Sequence, residues 1–371
     1  MRDQGKSNQH SSDFLVIPKG FIGDFILMSP VFRALKESYP NRRVVLLAPP
    51  ALAGYAERNE CIDEVIVFDR RKEFRGLRGL IRFAKSIQDR NFGVACSFHG
   101  SWRTAVLLKL AKIPTRIGYA GNLSSLLYSE RVFKDKMRHE VLRNMSLVRR
   151  LLPSSWQTVL DLPIELAGKS LPLHVPAISD EGIPQRLKQL FSSQETTVVL
   201  APGSAWETKQ WSPHKFREVA DSLIRRGMRV VVVGAKNDER LARVVCENHP
   251  DLIVNVCGET TLAELTYLIA KADGLICNDS LALHIASAVQ TPSVAVFCAT
   301  SPKFGFGPWN NRAIVVEKGQ LFCKPCRRHG SRRCPIGTMS CSSGIPVSSV
   351  LQALDDVMSF EKDSIVELRE V

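Results

Sequence analysis

The chain lacks any long apolar run. None of its hydrophobic stretches approaches the roughly 20 residues that a membrane-crossing helix requires, so we expect no transmembrane segment. Residues 1–13 are polar and have no apolar core, which predicts that the chain has no secretory signal peptide and is cytoplasmic. In that compartment its 10 cysteines are expected to be thiols or metal ligands rather than disulfide partners.

Acidic residues are scarce beside basic ones. The chain has 37 Asp and Glu against 50 Lys and Arg, a formal net charge of +13. Such an excess favours an anionic partner, which can be nucleic acid, an acidic lipid surface or an anionic substrate. We find no aromatic-interleaved basic patch, zinc finger or recognition-helix signature, so we expect no nucleic-acid partner.

Two successive series of short apolar runs, separated by helical patterns, predict two parallel sheets. With 371 residues the chain is long for one core, which also favours two domains. The predicted strands are 14–17, 44–48, 65–68 and 92–98 in the first half, then 198–201, 229–233, 253–256, 275–277 and 293–297 in the second.

We expect a domain boundary near residue 175, within a segment rich in Pro, Gly and Ser. Residues 153–195 are predicted to connect the domains, with one edge strand and a short helix over 185–191. The predicted domains are therefore residues 1–175 and 176–345. Residues 346–371 follow, with an amphipathic helix over 347–358.

The first strand ends at a turn that contains Gly20 and Gly23. Two glycines permit a tight turn and let a ligand approach the backbone closely. The third glycine and the later acidic residue of the dinucleotide-binding fingerprint are missing, which excludes that motif. Asp24 stands where the turn becomes a helix. It is either a helix cap or a carboxylate placed to take a proton as a general base.

A buried strand over 275–277 runs into Asn278-Asp279-Ser280, and an apolar helical pattern follows at once. Asn, Asp and Ser commonly cap helices, so this junction predicts a helix start whose N–H groups and dipole attract an anion. His284 lies about one turn further on and faces the same way as the helix start. A well-capped core helix with no ligand is the alternative reading.

Further polar residues follow the other strands of the second half, at the edge where ligands bind in parallel sheets. Lys209 can place a positive charge on a diphosphate, and Glu239 can accept hydrogen bonds from ribose hydroxyls. Ser204 and Thr260 lie in neighbouring loops. Two doubly wound domains whose polar loops converge on a cleft are typical of GT-B glycosyltransferases and of other two-domain nucleotide-sugar enzymes.

Residues 70–90 form a basic amphipathic segment. Phe74, Leu77, Leu80, Ile81, Ala84 and Ile87 are predicted to share one helical face, and Arg75, Arg78, Arg82 and Lys85 another. Such a stripe is either a solvated face or a surface for phosphates or acidic lipid. A second group of basic residues, from Arg131 to Arg150, adds to the charge of this half, so we expect the anionic partner to dock here.

Four motifs, in order along residues 14–300, resemble those of the heptosyltransferases of glycosyltransferase family 9. Gly20-Phe21-Ile22-Gly23-Asp24, with Pro30 beyond it, resembles the family's G-x-x-G-D motif. Pro202-Gly203-Ser204 with Lys209-Gln210-Trp211 and Pro213 resembles its P-G-[AS]…K-x-W-P region. Residues 234–239 match the turn that carries its ribose-binding acidic residue. Asn278-Asp279-Ser280 with His284 matches its N-D-[ST]-G-x-x-H signature.

This resemblance implies an α/β protein of the GT-B fold, in which two doubly wound Rossmann-like domains face each other across a cleft. It implies an inverting, metal-independent transfer of heptose from ADP-heptose to the anionic inner core of lipopolysaccharide, at the inner face of the cytoplasmic membrane. The implied base is Asp24, and Arg75, Arg78 and Arg82 would contact the acceptor. The implied donor-binding residues are Ser204, Lys209, Glu239, Thr260, Asp279, Ser280, Leu281 and His284. The C-terminal helix would pack back on the first domain.

The sequence departs from the family pattern in two places. Leu281 stands where the family has Gly, which would allow close approach of the diphosphate, so another nucleotide sugar or acceptor is an alternative. So are a non-transferase nucleotide-sugar enzyme and a binding protein with a degenerate donor site. The second departure is a Cys-rich loop over residues 323–341, with Cys323, Cys326, Cys334 and Cys341. These four thiols can bind structural zinc, stay reduced or form a redox pair.

Overall fold

The computed structural model describes residues 11–69, 76–176, 180–359 and 366–371. The chain divides into two compact units. Unit 1 comprises Met1–Asp135 and Val141–Leu162, and unit 2 comprises Lys136–Glu140 and Pro163–Val371. The main division therefore falls after residue 162, earlier than the boundary predicted near residue 175.

Unit 1 is built on a six-stranded parallel sheet with the strand order β3-β2-β1-β4-β5-β6. Its strands are β1 (Ser11–Ile17), β2 (Val44–Ala48), β3 (Glu64–Val67), β4 (Phe92–Ser97), β5 (Thr115–Tyr119) and β6 (Glu130–Val132). The helices that connect or follow them are α1 (Ile22–Ile26), α2 (Ser29–Ser38), α3 (Pro50–Ala56), α4 (Gly76–Gln88), α5 (Trp102–Leu110), α6 (Glu140–Val148) and α7 (Ser154–Asp161).

Strand β1 lies in the middle of this sheet because its apolar run is buried on both faces. Leu15 and Ile17 pack with Leu80 and Phe83 of α4 in one core cluster. Phe14 and Val16, whose side chains alternate with them, are also fully buried. Near-continuous apolar strands of this kind are expected in a parallel sheet covered by helices on both faces.

Unit 2 contains a seven-stranded parallel sheet with the strand order β13-β12-β11-β10-β7-β8-β9. Its strands are β7 (Thr197–Ala201), β8 (Arg229–Val232), β9 (Ile253–Asn255), β10 (Gly274–Asn278), β11 (Ser293–Phe297), β12 (Ala313–Glu317) and β13 (Val366–Glu370). The helices are α8 (Ile164–Ser170), α9 (Gln185–Lys188), α10 (Pro213–Arg225), α11 (Glu239–Cys246), α12 (Leu262–Lys271), α13 (Leu281–Val289), α14 (Ser340–Ser343) and α15 (Val347–Ser359).

Helix α15 packs on the sheet of its own unit. Val350, Leu354 and Val357 are fully buried in the core cluster that covers one face of this sheet, together with α10 and α11. Gly274 of β10 lies under this helix, since a Cβ there would come within 3.1 Å of Leu354 Cδ1. Helix α15 thus packs on β10, β11 and β12 of its own unit, and its predicted packing on the first domain stays a prediction.

Within residues 153–195, where one edge strand and a short helix were predicted, the described part contains helices and irregular segments. Its helices are α7, α8 and α9, and a 3₁₀ turn over Gln189–Phe191 extends α9. Residues 153–176 and 180–195 contain no strand. Among the helices of the described ranges, none has the length and apolar character needed to cross a membrane.

Candidate functional site

The loops after β7 and β10 meet at the point where the strand order of the second sheet reverses. Strands β7 and β10 are hydrogen-bonded neighbours in parallel register, so both run toward the same edge. From β7 the chain adds β8 and β9 on one side, and β10 then returns to the other side. A reversal of this kind opens a crevice at the carboxyl edge, where ligands bind in open α/β sheets.

Asn278 ties these two loops together. Its Nδ2 donates to Pro202 O at 2.7 Å, and its Oδ1 accepts from the backbone N–H of Trp211 at 2.9 Å. The side chain is fully buried. Asn278 was predicted to cap a helix, but it holds the β7 loop against the end of β10, and this fixes the backbone on both sides of Lys209.

Asp279 and Lys209 form a nearly buried ion pair. Lys209 Nζ lies 2.7 Å from Asp279 Oδ2, with side-chain exposures of 14% and 6%. Thr300 Oγ1 donates to the same carboxylate oxygen at 2.7 Å, and Ser204 Oγ donates to Asp279 O at 3.0 Å. The structure thus brings together three predicted donor-site residues. Thr300 joins them from the loop after β11, and it was missed because no motif signals it.

Helix α13 begins at the edge of this cluster. Its N-cap is Ser280, whose backbone is extended and whose side chain makes no capping hydrogen bond. The predicted helix start is confirmed with Ser280 at the N-cap, but Asn278 and Asp279 bond to other loops and do not cap the helix. The first turn keeps its positive dipole end for an anion. Leu281 is the first helical residue and is half-buried, whereas His284 is 6% exposed.

The acidic turn after β8 packs onto glycines of the neighbouring loops. A Cβ on Gly203 would lie 2.3 Å from Asp238 Cγ, and one on Gly258 would lie 2.9 Å from Glu239 Oε1. Glu239 also pairs with Lys236 at 2.6 Å. Glu239 is thus at the carboxyl edge of the sheet, as predicted. Asp238 was missed, although the glycines of these loops were noted in the sequence.

Asp238 and Glu239 are both partly buried. Burial raises the pKa of the Asp238 carboxyl, while the hydrogen bond from the N–H of Ala235 opposes the shift. Thr260 lies half-buried in the loop after β9. Its neighbour Thr261 caps α12 in a reciprocal capping box with Glu264. Thr260 itself has no part in that cap.

In unit 1, Asp24 lies in the first turn of α1. The N-cap of this helix is Phe21, with no side-chain capping bond, so Asp24 is not the cap. Asp24 Oδ1 instead faces Lys19 Nζ at 3.4 Å, and both side chains are largely buried. The carboxylate therefore lies beside an ammonium group at the carboxyl end of β1, where the glycine-containing turn was predicted.

Helix α4 buries a face that differs from the predicted one. Leu80, Phe83, Ala84 and Ile87 face the core, but Leu77 and Ile81 are 67% and 51% exposed. Arg78, Arg82 and Lys85 are exposed on the same helix. Arg75, which was also predicted to contact the acceptor, lies outside the described residues, as do Arg70, Arg71, Lys72 and Phe74.

The second basic group does not form one solvated patch. Arg143 is 1% exposed, and its Nε donates to Asp135 O at 2.8 Å. Arg149 makes two hydrogen bonds to the carboxylate of Asp161. These two arginines are therefore committed to contacts within the protein, whereas Arg131 and Lys136 of the same group are exposed.

All ten cysteines are free thiols. Cys323 and Cys326 are hydrogen-bonded to each other, and burial raises the pKa of Cys326 and of Cys341. Backbone N–H groups, that of Met339 foremost, donate to Cys334 and lower its pKa. Across the described ranges, no three or more His, Cys, Asp or Glu side chains are grouped so that they could hold a metal ion. The predicted zinc site stays a prediction.

The model of glycosyltransferase family 9 (heptosyltransferase) matches residues 80–336. Lipopolysaccharide heptosyltransferase 2 of Salmonella typhimurium is 26% identical over 321 residues, which cover 82% of this chain and 87% of that protein.

Two solved structures share the fold. The Escherichia coli ADP-heptose lipopolysaccharide heptosyltransferase II matches with a TM-score of 0.72 at 22% identity, over 93% of this chain and 98% of that one. A glycosyltransferase family 9 protein of Veillonella parvula matches with a TM-score of 0.73 at 22% identity, over 95% and 99%. These likenesses confirm the predicted fold class. Because the family model covers more than half of its residues, the chain belongs to glycosyltransferase family 9, the heptosyltransferase family.

Proposed function

We propose that this protein transfers heptose from ADP-heptose to the inner core of lipopolysaccharide. The cluster of Lys209, Asp279, Thr300 and Ser204 beside the start of α13 carries the proposal. It combines an ammonium group, a hydroxyl and the positive end of a helix at the carboxyl edge of a parallel sheet. A diphosphate is the anion that such a combination suits. The names of the Salmonella and Escherichia coli relatives support heptose as the sugar and lipopolysaccharide as the acceptor.

Lys209 and the first turn of α13 would stabilise the negative charge that develops on ADP as the bond to the sugar breaks. Ser204 would redirect its one hydroxyl hydrogen from Asp279 O to the diphosphate. Glu239 at the adjacent strand end would accept hydrogen bonds from the ribose hydroxyls. These groups supply positive charge without a divalent cation, so we propose metal-independent transfer. Turnover that persists in EDTA would agree with this, and turnover that stops would contradict it.

In the proposed reaction, Asp24 takes the proton from the acceptor hydroxyl as that oxygen attacks the anomeric carbon. Attack from the face opposite the diphosphate inverts the configuration at that carbon. The ammonium group of Lys19 lies 3.4 Å from Asp24 Oδ1 and fixes the position of this carboxylate.

The experiment for this assignment is Asp24→Asn, measured with purified ADP-heptose and core acceptor. We expect transfer to fall by a factor of at least about 100, the lower end of what a general base contributes, with ADP affinity retained. Undiminished transfer by Asp24→Asn would remove Asp24 from the mechanism. Mass spectrometry of the core from a deletion strain should show one heptose missing. A different missing sugar, or turnover with another nucleotide sugar alone, would overturn the proposed donor.

We further propose that the protein works on the cytoplasmic side of the membrane and that α4 contacts the anionic lipid acceptor. The exposed Leu77 and Ile81 beside Arg78, Arg82 and Lys85 support this, because apolar and basic side chains together bind anionic lipid surfaces.

Co-sedimentation with vesicles that contain an anionic phospholipid tests the α4 proposal. We expect Leu77→Glu and Arg78→Glu each to reduce the bound fraction. The control is Leu252→Glu, which removes an apolar side chain of similar exposure (60%) from unit 2. Equal binding by all three variants and by the unaltered protein would exclude α4 from the contact.

A further inference from the structure

Thr208 and Ser331 bond to each other three times. Thr208 N and Oγ1 both donate to Ser331 O, at 3.1 and 2.9 Å, and Ser331 N donates back to Thr208 Oγ1 at 2.8 Å. Thr208 is 2% exposed and immediately precedes Lys209. Ser331 belongs to the Cys-rich loop, 123 residues further along the chain. Three hydrogen bonds between the same two residues fix one backbone segment against the other.

Gly330 fills the space beside the stem of Lys209. Its φ is +75°, and a Cβ there would lie 3.0 Å from Lys209 Cγ, 3.1 Å from Trp206 Cβ and 3.2 Å from Thr208 Oγ1. The loop backbone therefore lies directly against the 3₁₀ turn Glu207–Lys209. A side chain at this position would push the lysine stem or the loop away.

The Cys-rich loop is itself fixed to the edge of the second sheet. Lys324 Nζ lies 2.8 Å from Glu317 Oε2 and donates to Phe297 O at 2.8 Å, and both charged side chains are 6% exposed. Cys326 N donates to Ala299 O, and Ala299 N donates to Thr208 O. The anchor thus connects the ends of β11 and β12 to the backbone of the Lys209 turn.

We propose that the Cys-rich loop is a positioning element for Lys209, in which Thr208 and Gly330 hold the turn that aims the ammonium group. The proposal rests on the proposed role of Lys209 at the donor diphosphate. Lysine has a long flexible stem, and an electrostatic group contributes fully only when its position is fixed before the substrate arrives. The loop supplies that constraint at the stem of Lys209, whereas Asp279 contacts the ammonium group.

The first test measures the position of Lys209 without any ligand. Competitive acetylation with acetic anhydride, read by mass spectrometry, compares Lys209 with the exposed Lys236. Thr208→Val removes the hydroxyl and keeps the size of the side chain. We expect the labelling of Lys209 to rise roughly tenfold in this variant, because the ion pair of Lys209 with Asp279 is weakened. A tenfold rise corresponds to about 1.4 kcal/mol. Thr208→Ser, which restores the hydroxyl, should return it to the original rate.

The matched control is Thr291→Val. Thr291 is 3% exposed, and its hydroxyl also donates to a carbonyl, that of Ile269 at 2.7 Å. It precedes β11 and therefore lies at the amino ends of the strands, whereas Lys209 lies beyond their carboxyl ends. We expect this variant to lose stability with Lys209 labelling unchanged. Gly330→Ala is a second, independent change that should raise the labelling. Unchanged labelling in Thr208→Val and Gly330→Ala would overturn the proposal, and so would an equal rise in Thr291→Val.

The second test measures ADP affinity by calorimetry in a double-mutant cycle. Thr208→Val should weaken ADP binding roughly tenfold, and Thr208→Ser should restore it. In a Lys209→Met background, Thr208→Val should cause no further loss, because its effect passes through the lysine. A further loss of the same size would overturn the positioning role. If the unaltered protein binds no ADP, the proposed donor is wrong, while the labelling result still decides whether the loop positions Lys209.

Discussion

The ion pair between Lys209 and Asp279 predicts that its two single variants differ in stability. Lys209→Met leaves a carboxylate that is 6% exposed with one neutral hydroxyl donor, that of Thr300. Removing one partner of a buried pair typically costs about 3–5 kcal/mol, because the other charge stays buried. Asp279→Asn leaves an ammonium group on a flexible stem that is 14% exposed and can turn toward water. We expect that variant to cost about 1–2 kcal/mol.

The double variant separates this reasoning from ordinary loss of packing. With Asp279→Asn in place no buried charge remains when Lys209 becomes Met, so the double variant should be more stable than Lys209→Met alone. For a unit of this size each 1 kcal/mol corresponds to roughly 2–4 °C, so Lys209→Met should melt roughly 6 °C or more below the unaltered protein. Tryptophan fluorescence in urea follows the unfolding of both units, because Trp206, Trp211 and Trp309 lie in unit 2 and Trp102 and Trp156 lie in unit 1.

Equal costs for the two single variants, together with a double variant whose cost is their sum, would refute the argument. Such a result would mean a coupling energy near zero, as for a solvated surface pair. Thr300→Val supplies a further check, because it removes the second donor to the same oxygen. Its cost should be larger in the Lys209→Met background than in the unaltered protein.

Three further predictions concern other parts of the chain. Gly20→Ala should fold with an unchanged melting temperature, because a Cβ there meets nothing within 4 Å. Gly203→Ala should be strongly destabilised, because its Cβ would clash with Asp238. Thermal denaturation of both variants measures the difference in melting temperature. Because burial raises the folded-state pKa of Asp238, its carboxyl favours folding at low pH and loses that contribution as pH rises through this pKa. Asp238→Asn should therefore gain stability relative to the unaltered protein as pH rises above about 4, the ordinary pKa of an aspartate, and a pH-independent difference in urea denaturation would contradict this. Among the thiols, Cys334 should react fastest with iodoacetamide near neutral pH, since backbone N–H groups lower its pKa while burial raises that of Cys96 to about 12; peptide mapping that finds Cys96 alkylated first would contradict it.

Most central strands, the outer strands β3 and β9 and the order of the motifs could be predicted from the sequence, whereas β5, β6, β12 and β13 were missed. Continuous apolar runs such as 14–17 and 275–277 read as buried strands because both faces of a parallel sheet are covered. Strand β6 (Glu130–Val132) and strand β13 (Val366–Glu370) mix charged and apolar residues, since each has a free edge. Strand β5 contains a glycine over which Tyr128 packs. Their patterns are not distinct from those of loops.

Side-chain partners were harder to predict than elements. Asn278 and Asp279 are good helix caps by residue type, so local chemistry favoured that role. In the fold each finds a partner from a loop about 70 residues away along the chain, and these contacts satisfy the buried polar atoms better. The prediction of the buried face of α4 was wrong for a related reason. Helical spacing alone does not decide which of two adjoining apolar stripes contacts the core.

The strand order also has a consequence for how the protein reaches its native state. Strand β1 is central in its sheet, but one of its two partners, β4, enters the sequence only at Phe92–Ser97. Likewise, β10 (Gly274–Asn278), a partner of strand β7, follows it by more than 70 residues in the sequence. Distant pairings of this kind form slowly, because the entropy cost of closing the long loop between the strands comes before any stabilising contact between them. During synthesis the apolar runs 14–17 and 198–201 remain uncovered for many residues, which makes them the segments where chaperone binding or aggregation competes with folding.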